Sequence, residues 1–232
     1  MKKRTLLSSV VIFLLIIFNL SYSQDSNEII KKVREKQKSL NDYKADIKIK
    51  VNIDFLKVPD VDAKIFYKKP DKFKIQSDGF LMLPKEGFNF SPESFFKENI
   101  TSVFVKKEVL NTYQTNVIKI IPNDDKSDLV LSTIWIDEKE NVIRKVESTF
   151  KQGGTVVLNF DYEDKLLKYG LPSKLKFTFD LKNMRMPKNF SGFDTPGKKK
   201  SDKPPSTTGE VIITYSNYSI NKGVDDKIFQ EK

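Results

Sequence analysis

The sequence has no cysteine and no histidine among its 232 residues. Without cysteine there are no disulfides, no thiol nucleophile and no thiolate metal site. The cysteine that a bacterial lipoprotein acylates at its mature N-terminus is missing too, so no lipid tether is expected. Without histidine there is no Ser-His-Asp triad, no imidazole acid or base, and none of the commonest transition-metal ligand. A glycine-rich phosphate loop is also missing. Gly153-Gly154 reads as a hairpin turn, since no Gly-x-Gly-x-x-Gly follows a strand. The adjacent carboxylates Asp124-Asp125 and Asp225-Asp226 fall in a turn and near a terminus. A catalytic carboxylate needs burial and a partner to shift its pKa, and solvated positions offer neither. No enzymatic activity, cofactor or metal ion is therefore expected.

A long hydrophobic run occurs once. Met1-Lys2-Lys3-Arg4 is basic, Leu6 to Leu20 is almost continuously apolar, and Ser21 and Ser23 are small. This is the layout of a secretory signal peptide, with cleavage expected between Ser23 and Gln24. As an anchor the run is short against the ~20 residues a spanning helix needs, and no basic stop-transfer cluster follows it. Residues 1–23 are set apart from the fold, and 24–232 is expected to be one soluble, exported domain. The whole chain carries +10, and losing Lys2, Lys3 and Arg4 leaves +7. Export argues against nucleic acid as a partner. Phospholipid headgroups or acidic protein surfaces suit the charge better. Most lysines alternate with apolar residues, the pattern of ordinary solvated strand faces.

One helix stands out. Asp25 or Ser26 can cap it, with Glu28 placed as in a capping box. Ile29, Ile30, Val33, Gln37 and Leu40 form one stripe at the helical period, which predicts an amphipathic helix over 26–41. A shorter helix is expected from Ser91 to about Lys97, with Pro92 and Glu93 in its first turn. Nearly all the rest alternates. LPSKLKFTFDL, at 171–181, puts Leu175, Phe177, Phe179 and Leu181 on one side. Lys174, Lys176, Thr178 and Asp180 fall on the other. ADIKIKVNIDF does the same with Ile47, Ile49, Val51, Ile53 and Phe55. About eleven such strands are legible, GFLML at 79–83 among them, separated by turn signals. Short connections predict antiparallel hairpins. Trp135, the single tryptophan, reads as buried packing. Residues 183–208 have no period and read as a flexible loop, with Met184, Met186, Phe190 and Phe193 in its first half.

Geometry then decides the fold class. Eleven strands at ~4.8 Å spacing make a sheet about 50 Å wide. One helix covers a strip ~10 Å across and, at sixteen residues, ~24 Å long. A flat sheet would leave most of its apolar face wet. The sheet must therefore split into a sandwich or curl into an incomplete barrel. A single leading helix followed by hairpin-like strands favours the curl: a mainly β (α+β) antiparallel half-barrel closed by the N-terminal helix and loops. Its large inner residues either fill the interior or leave an apolar cavity for an acyl chain. In the cavity reading the lining is Ile49, Val51, Ile53, Ile65, Phe73, Ile75, Val156, Leu158, Phe160, Phe177 and Phe179. Ile30, Val33 and Leu40 of the helix form the lid, with Met184, Met186, Phe190 and Phe193 as a second flap. A carboxylate hydrolase would need two acidic residues facing inward, and strict alternation turns almost every Asp and Glu outward.

Three stretches resemble one family. YKKPDKFKI (67–75) is similar to the strand turn of the LolA-like periplasmic lipoprotein carriers. STIWIDEKENVIRKVEST (132–149) resembles their tryptophan-bearing hairpin, and VDDKIF (224–229) their closing segment. SDGFLMLPKEGFNFSPESFF and the 183–208 loop depart from the family pattern. The resemblance implies an incomplete barrel closed by helices, whose apolar cavity shields lipoprotein acyl chains between the two membranes. It implies as partners lipoprotein or lipid acyl chains and membrane-bound donor and acceptor proteins, with the carrier a monomer. Lys68 and Lys69 are the nearest counterparts of a gating basic residue. The related envelope stress sensors imply an alternative, an interaction module of the same fold that binds a protein partner.

Overall fold

The structure, a computed structural model, describes residues 25–53, 59–77, 95–96, 99–151, 154–180 and 208–230. The chain opens with helix α1 (Ser26–Lys36). Asp25 caps it: its carboxylate accepts the Asn27 N–H at 2.9 Å. Ile29, Ile30 and Val33 form the buried stripe, and Arg34 and Lys36 sit in the last turn, where cations suit the helix dipole. The helix is shorter than the sequence pattern predicts. Its end is set by contacts 180 residues away. The Asn221 side chain accepts the Asn41 N–H at 2.8 Å and donates to Ser39 O at 2.7 Å. Asp42 answers by accepting the N–H groups of Lys222 and Gly223. These bonds hold the non-helical link at 39–41 and the start of β1, so Leu40 leaves the helical stripe.

Ten strands follow: β1 (Asp42–Asn52), β2 (Val61–Lys68), β3 (Lys72–Ser77), β4 (Ile100–Leu110), β5 (Tyr113–Pro122), β6 (Leu129–Asp137), β7 (Ile143–Phe150), β8 (Gly154–Asp161), β9 (Lys174–Asp180) and β10 (Thr208–Ile220). The four-residue helix α2 (Asp164–Leu167) joins β8 to β9. A 3-10 turn at Asp226–Phe229 follows β10. Each strand matches one of the expected eleven. The eleventh, GFLML, lies outside the described residues, as do residues 183–207 of the expected loop. β10 already begins at Thr208, inside the predicted loop boundary. Of the helix expected at 91–97, only Phe95 and Phe96 are among the described residues.

All pairings are antiparallel, in the order β3-β2-β1-β10-β9-β8-β7-β6-β5-β4. The sheet is open, with edges β3 and β4. A flat ten-strand sheet would set those edges about 43 Å apart. Yet Ile65 and Ile75 near one edge and Ile100 and Phe104 on the other share one hydrophobic cluster. The sheet is therefore curled, with that cluster on its concave side. The convex side is a lattice of cross-strand charges, among them Lys48–Asp62 at 3.7 Å and Lys64–Asp46 at 4.0 Å. This is the solvated-face role the alternation predicts for the lysines. Trp135 differs from expectation. It is only half-buried, belongs to neither core cluster, and lies under the Lys145 ammonium at 4.3 Å from the ring centroid.

The β6–β7 turn is organised by one buried ion pair. Asp137 Oδ2 takes Arg144 Nη2 at 2.8 Å and Nε at 3.0 Å, and both side chains are almost fully buried. Asp137 Oδ1 takes the Lys139 and Glu140 N–H groups at 3.0 and 2.9 Å. The Tyr113 ring packs 3.7 Å from the guanidinium carbon. Replacing Asp137 by Ala strands a buried cation and two amides. The expected cost is about 3–5 kcal/mol, read as a lowered denaturant midpoint, and removing Arg144 as well should recover part of it.

Candidate ligand-binding face

The concave face is the one large surface on which the predicted site residues meet. Ile49, Ile53, Ile65, Val156, Leu158, Phe160 and Phe179 are buried in the main cluster. Val51, Phe73, Ile75 and Phe177 are half-buried against it. Register explains the assembly. Val156 pairs with Phe179 and Leu158 with Phe177 across β8–β9. Phe177 then faces Val211 on β10, and Val211 faces Val51 on β1. One apolar row thus runs unbroken over four strands.

Ile30 and Val33 join the same cluster from α1. Leu40 does not. Displaced by the Asn221 clamp, it packs with Tyr67, Leu166 and Leu171 in a second, smaller cluster. Met184, Met186, Phe190 and Phe193 lie outside the described residues. A few polar bonds fasten α1 across the opening. At its start Ser26 Oγ lies 2.9 Å from Ser102 Oγ and 3.1 Å from Ser102 O, on edge strand β4. In its last turn Arg34 donates to Phe96 O. At its end Lys36 pairs with Glu140 at 3.5 Å, and Lys69 Nζ donates to Lys38 O at 2.7 Å. The two lysines singled out by family resemblance therefore part company. Lys69 touches the turn after the lid helix, whereas Lys68 binds Asp226 at 2.9 Å and Val224 O at 3.1 Å in the C-terminal segment.

Phe95 and Phe96 belong to the β3–β4 connection, which has to pass from one open edge to the other. Phe96 is 2% exposed, and Phe95 meets Phe160 edge-on with ring centroids 6.1 Å apart. The chain thus lends its own aromatics to the concave face. The sequence signal was present as a helix of unknown destination, but nothing local marked it as a cover. A groove of about 700 Å³ lies on the opposite, convex face, beside Lys44, Asp46, Lys48, Asp62 and Lys64. Ile47, Ala63 and Phe66 line it as well, so it is a mixed surface bordered by charges, unlike the apolar row. Among the described residues no group of three or more His, Cys, Asp or Glu is placed to hold a metal ion.

Nothing in the sequence around Gly209 marks it as part of the face. It pairs with Phe179, and a Cβ at 209 would come within 2.5 Å of the Phe179 ring. The missing side chain is the space the ring occupies. Gly209→Ala is expected to destabilise by about 1–3 kcal/mol through this clash, measured by thermal melting. Combining it with Phe179→Leu should cost less than the two changes summed, because the clashing atoms are then gone.

Solved structures share this shape. A LolA superfamily protein from Nitrosomonas europaea superposes over 90% of this chain and 99% of its own, with a TM-score of 0.60 at 11% identity. A DUF1329 family protein from Desulfovibrio piger covers 88% of this chain and 95% of its own, with a TM-score of 0.60 at 11% identity. An outer membrane lipoprotein-sorting protein domain from Vibrio parahaemolyticus covers 87% and 94%, with a TM-score of 0.55 at 16% identity. No protein-family model matches the sequence, and no curated protein matches it either. The chain has the LolA-like fold, carried by a sequence far diverged from those of the proteins that share it.

Proposed function

We propose that this chain is a periplasmic carrier that holds the acyl chains of a lipoprotein or another amphiphile on its concave face and delivers them toward the outer membrane. One observation carries this reading. A continuous apolar face spans the open sheet, and what covers it among the described residues is a short amphipathic helix and two phenylalanines. The name of the Vibrio parahaemolyticus structure, an outer membrane lipoprotein-sorting protein domain, supports lipoprotein as the cargo class. The mechanism is exchange of apolar surfaces, not bond chemistry. Burying a CH₂ group stabilises by ~0.8 kcal/mol, so a chain of about fifteen contributes ~12 kcal/mol gross. Displacing Phe95 and Phe96 costs ~1.5–3 kcal/mol each on the same scale. A ligand can therefore outcompete the protein's own cover, and the cover can return when a receptor draws the ligand away. The polar bonds of Ser26, Arg34 and Lys69 are few and lie at the rim, so α1 can lift without breaking the sheet.

A second reading rests on the same self-filling: an interaction module of this fold would bind a protein partner with its apolar face still covered by Phe95 and Phe96. Native mass spectrometry of protein purified from its own envelope separates the two. The carrier reading expects bound lipid or lipopeptide, and the alternative expects a protein partner with no lipid. Phe177 is half-buried, central to the apolar row and free of polar contacts. Phe177→Asp should keep the folded circular dichroism spectrum and lose the cargo. Cargo retained by a folded Phe177→Asp protein would place the ligand on another surface.

A further inference from the structure

The two ends of the concave face differ in chemistry. Antiparallel register brings the start of β1, the end of β10, the start of β5 and the end of β8 to one end. That end gathers tyrosines. Tyr43 stacks on Tyr67 at 5.3 Å and lies 5.8 Å from Tyr218, and Tyr218 stacks on Tyr215 at 6.0 Å. The opposite end holds Phe177, Phe179, Val156 and Val211. Tyrosine hydroxyls in such a cluster are ordinarily spoken for. Tyr218 donates to Pro172 O at 2.7 Å and Tyr162 to Ile143 O at 2.8 Å. The hydroxyls of Tyr43 and Tyr215 make no hydrogen bond among the described residues, although Tyr215 is 8% exposed. Asn116 gives a second sign. It is 5% exposed, stands opposite Ile136 of the core at the same end, and its Oδ1 has no partner. The two hydroxyls reach solvent and are free to donate, whereas Asn116 Oδ1 is buried; an unpartnered buried polar atom is costly and rare, and beside two free donors on this face it marks a group kept for a ligand.

We propose that this end is a head-group subsite, where Tyr43 and Tyr215 donate hydrogen bonds to an uncharged oxygen of the amphiphile, the carbonyl of an acyl ester or amide, while the hydrocarbon runs toward Phe177 and Phe179. The inference rests on the carrier reading and narrows its ligand. Charge sets the preference for a neutral oxygen. Arg144, the buried cation beside Tyr162, is already neutralised by Asp137. A free carboxylate here would be desolvated without a counter-ion. Burial holds the Tyr43 and Tyr215 phenols far above the ordinary tyrosine range, so both remain donors at any working pH.

Two fluorescent probes test this on the mature chain. Diphenylhexatriene has no hydrogen-bond acceptor, and the methyl ester of parinaric acid has one, uncharged. The wild type should bind both and prefer the methyl ester to free parinaric acid. Tyr215→Phe, and the Tyr43→Phe/Tyr215→Phe pair, should weaken the methyl ester by about three- to tenfold per hydroxyl and leave diphenylhexatriene unchanged. Phenylalanine keeps the ring and its packing, so unchanged melting temperatures are expected. If the wild type binds both probes and the variants bind them equally well, the subsite is overturned and the carrier reading stands. A parallel loss of both probes also overturns it, as damage to the whole face. If the wild type binds no probe at all, the carrier reading falls and the subsite with it.

Discussion

The pairing of β1 with β10 decides where this molecule is open. Without it the strands would form two separate meanders, β1–β3 and β4–β10. With it they join into one sheet whose free edges are β3 and β4, neighbours in sequence at opposite margins in space. Phe95 and Phe96, which lie in sequence between those edges, pack on the concave face, so part of its cover among the described residues comes from the chain that joins the two edges. The same pairing brings Asn221 and Asp42 together, and their reciprocal bonds end α1 at the rim.

Burial is uneven along the sheet. The well-buried, hydrogen-bonded ion pair of Asp137 and Arg144 lies at the β6–β7 turn, and Val146, Ile134 and Ile118 beside it are fully buried. This region behaves as an ordinary core. On β9 and β1 the row also holds Phe177 and Val51, which are only half-buried, and on β10 a glycine makes room for the Phe179 ring. An interior that fills itself everywhere gains stability and loses capacity.

Period-two patterning made most of this legible in the sequence. Ten strands, their inward rows and the curl itself follow from alternating residues and from the mismatch between a wide sheet and a narrow helix. All eleven residues expected to line the interior do share its core. Whether they touch a ligand is a separate question that alternation cannot reach. What escaped was set by distant contacts. The stripe through Leu40 reads as helix until Asn221, far along the chain, claims the backbone at 39–42. Trp135 reads as core because tryptophan usually is, but its parity places it outside, under Lys145. Gly209 carries no local signal because the space it leaves is filled by another residue's ring.

The tyrosines show the same limit from another side. In the sequence they look like ordinary aromatic members of inward rows, interchangeable with Phe73 or Phe160. Only register shows that Tyr43, Tyr67, Tyr215 and Tyr218 collect at one end while the phenylalanines of β9 collect at the other. Tyr67 and Tyr218 spend their hydroxyls on the carbonyls of Pro70 and Pro172, whereas Tyr43 and Tyr215 keep theirs free. Phenylalanine at those two positions would pack the same ring without a donor. In a face otherwise built of hydrocarbon, two free donors at one end are what the proposed head-group subsite rests on, because they would leave a ligand with one polar end a single way to lie.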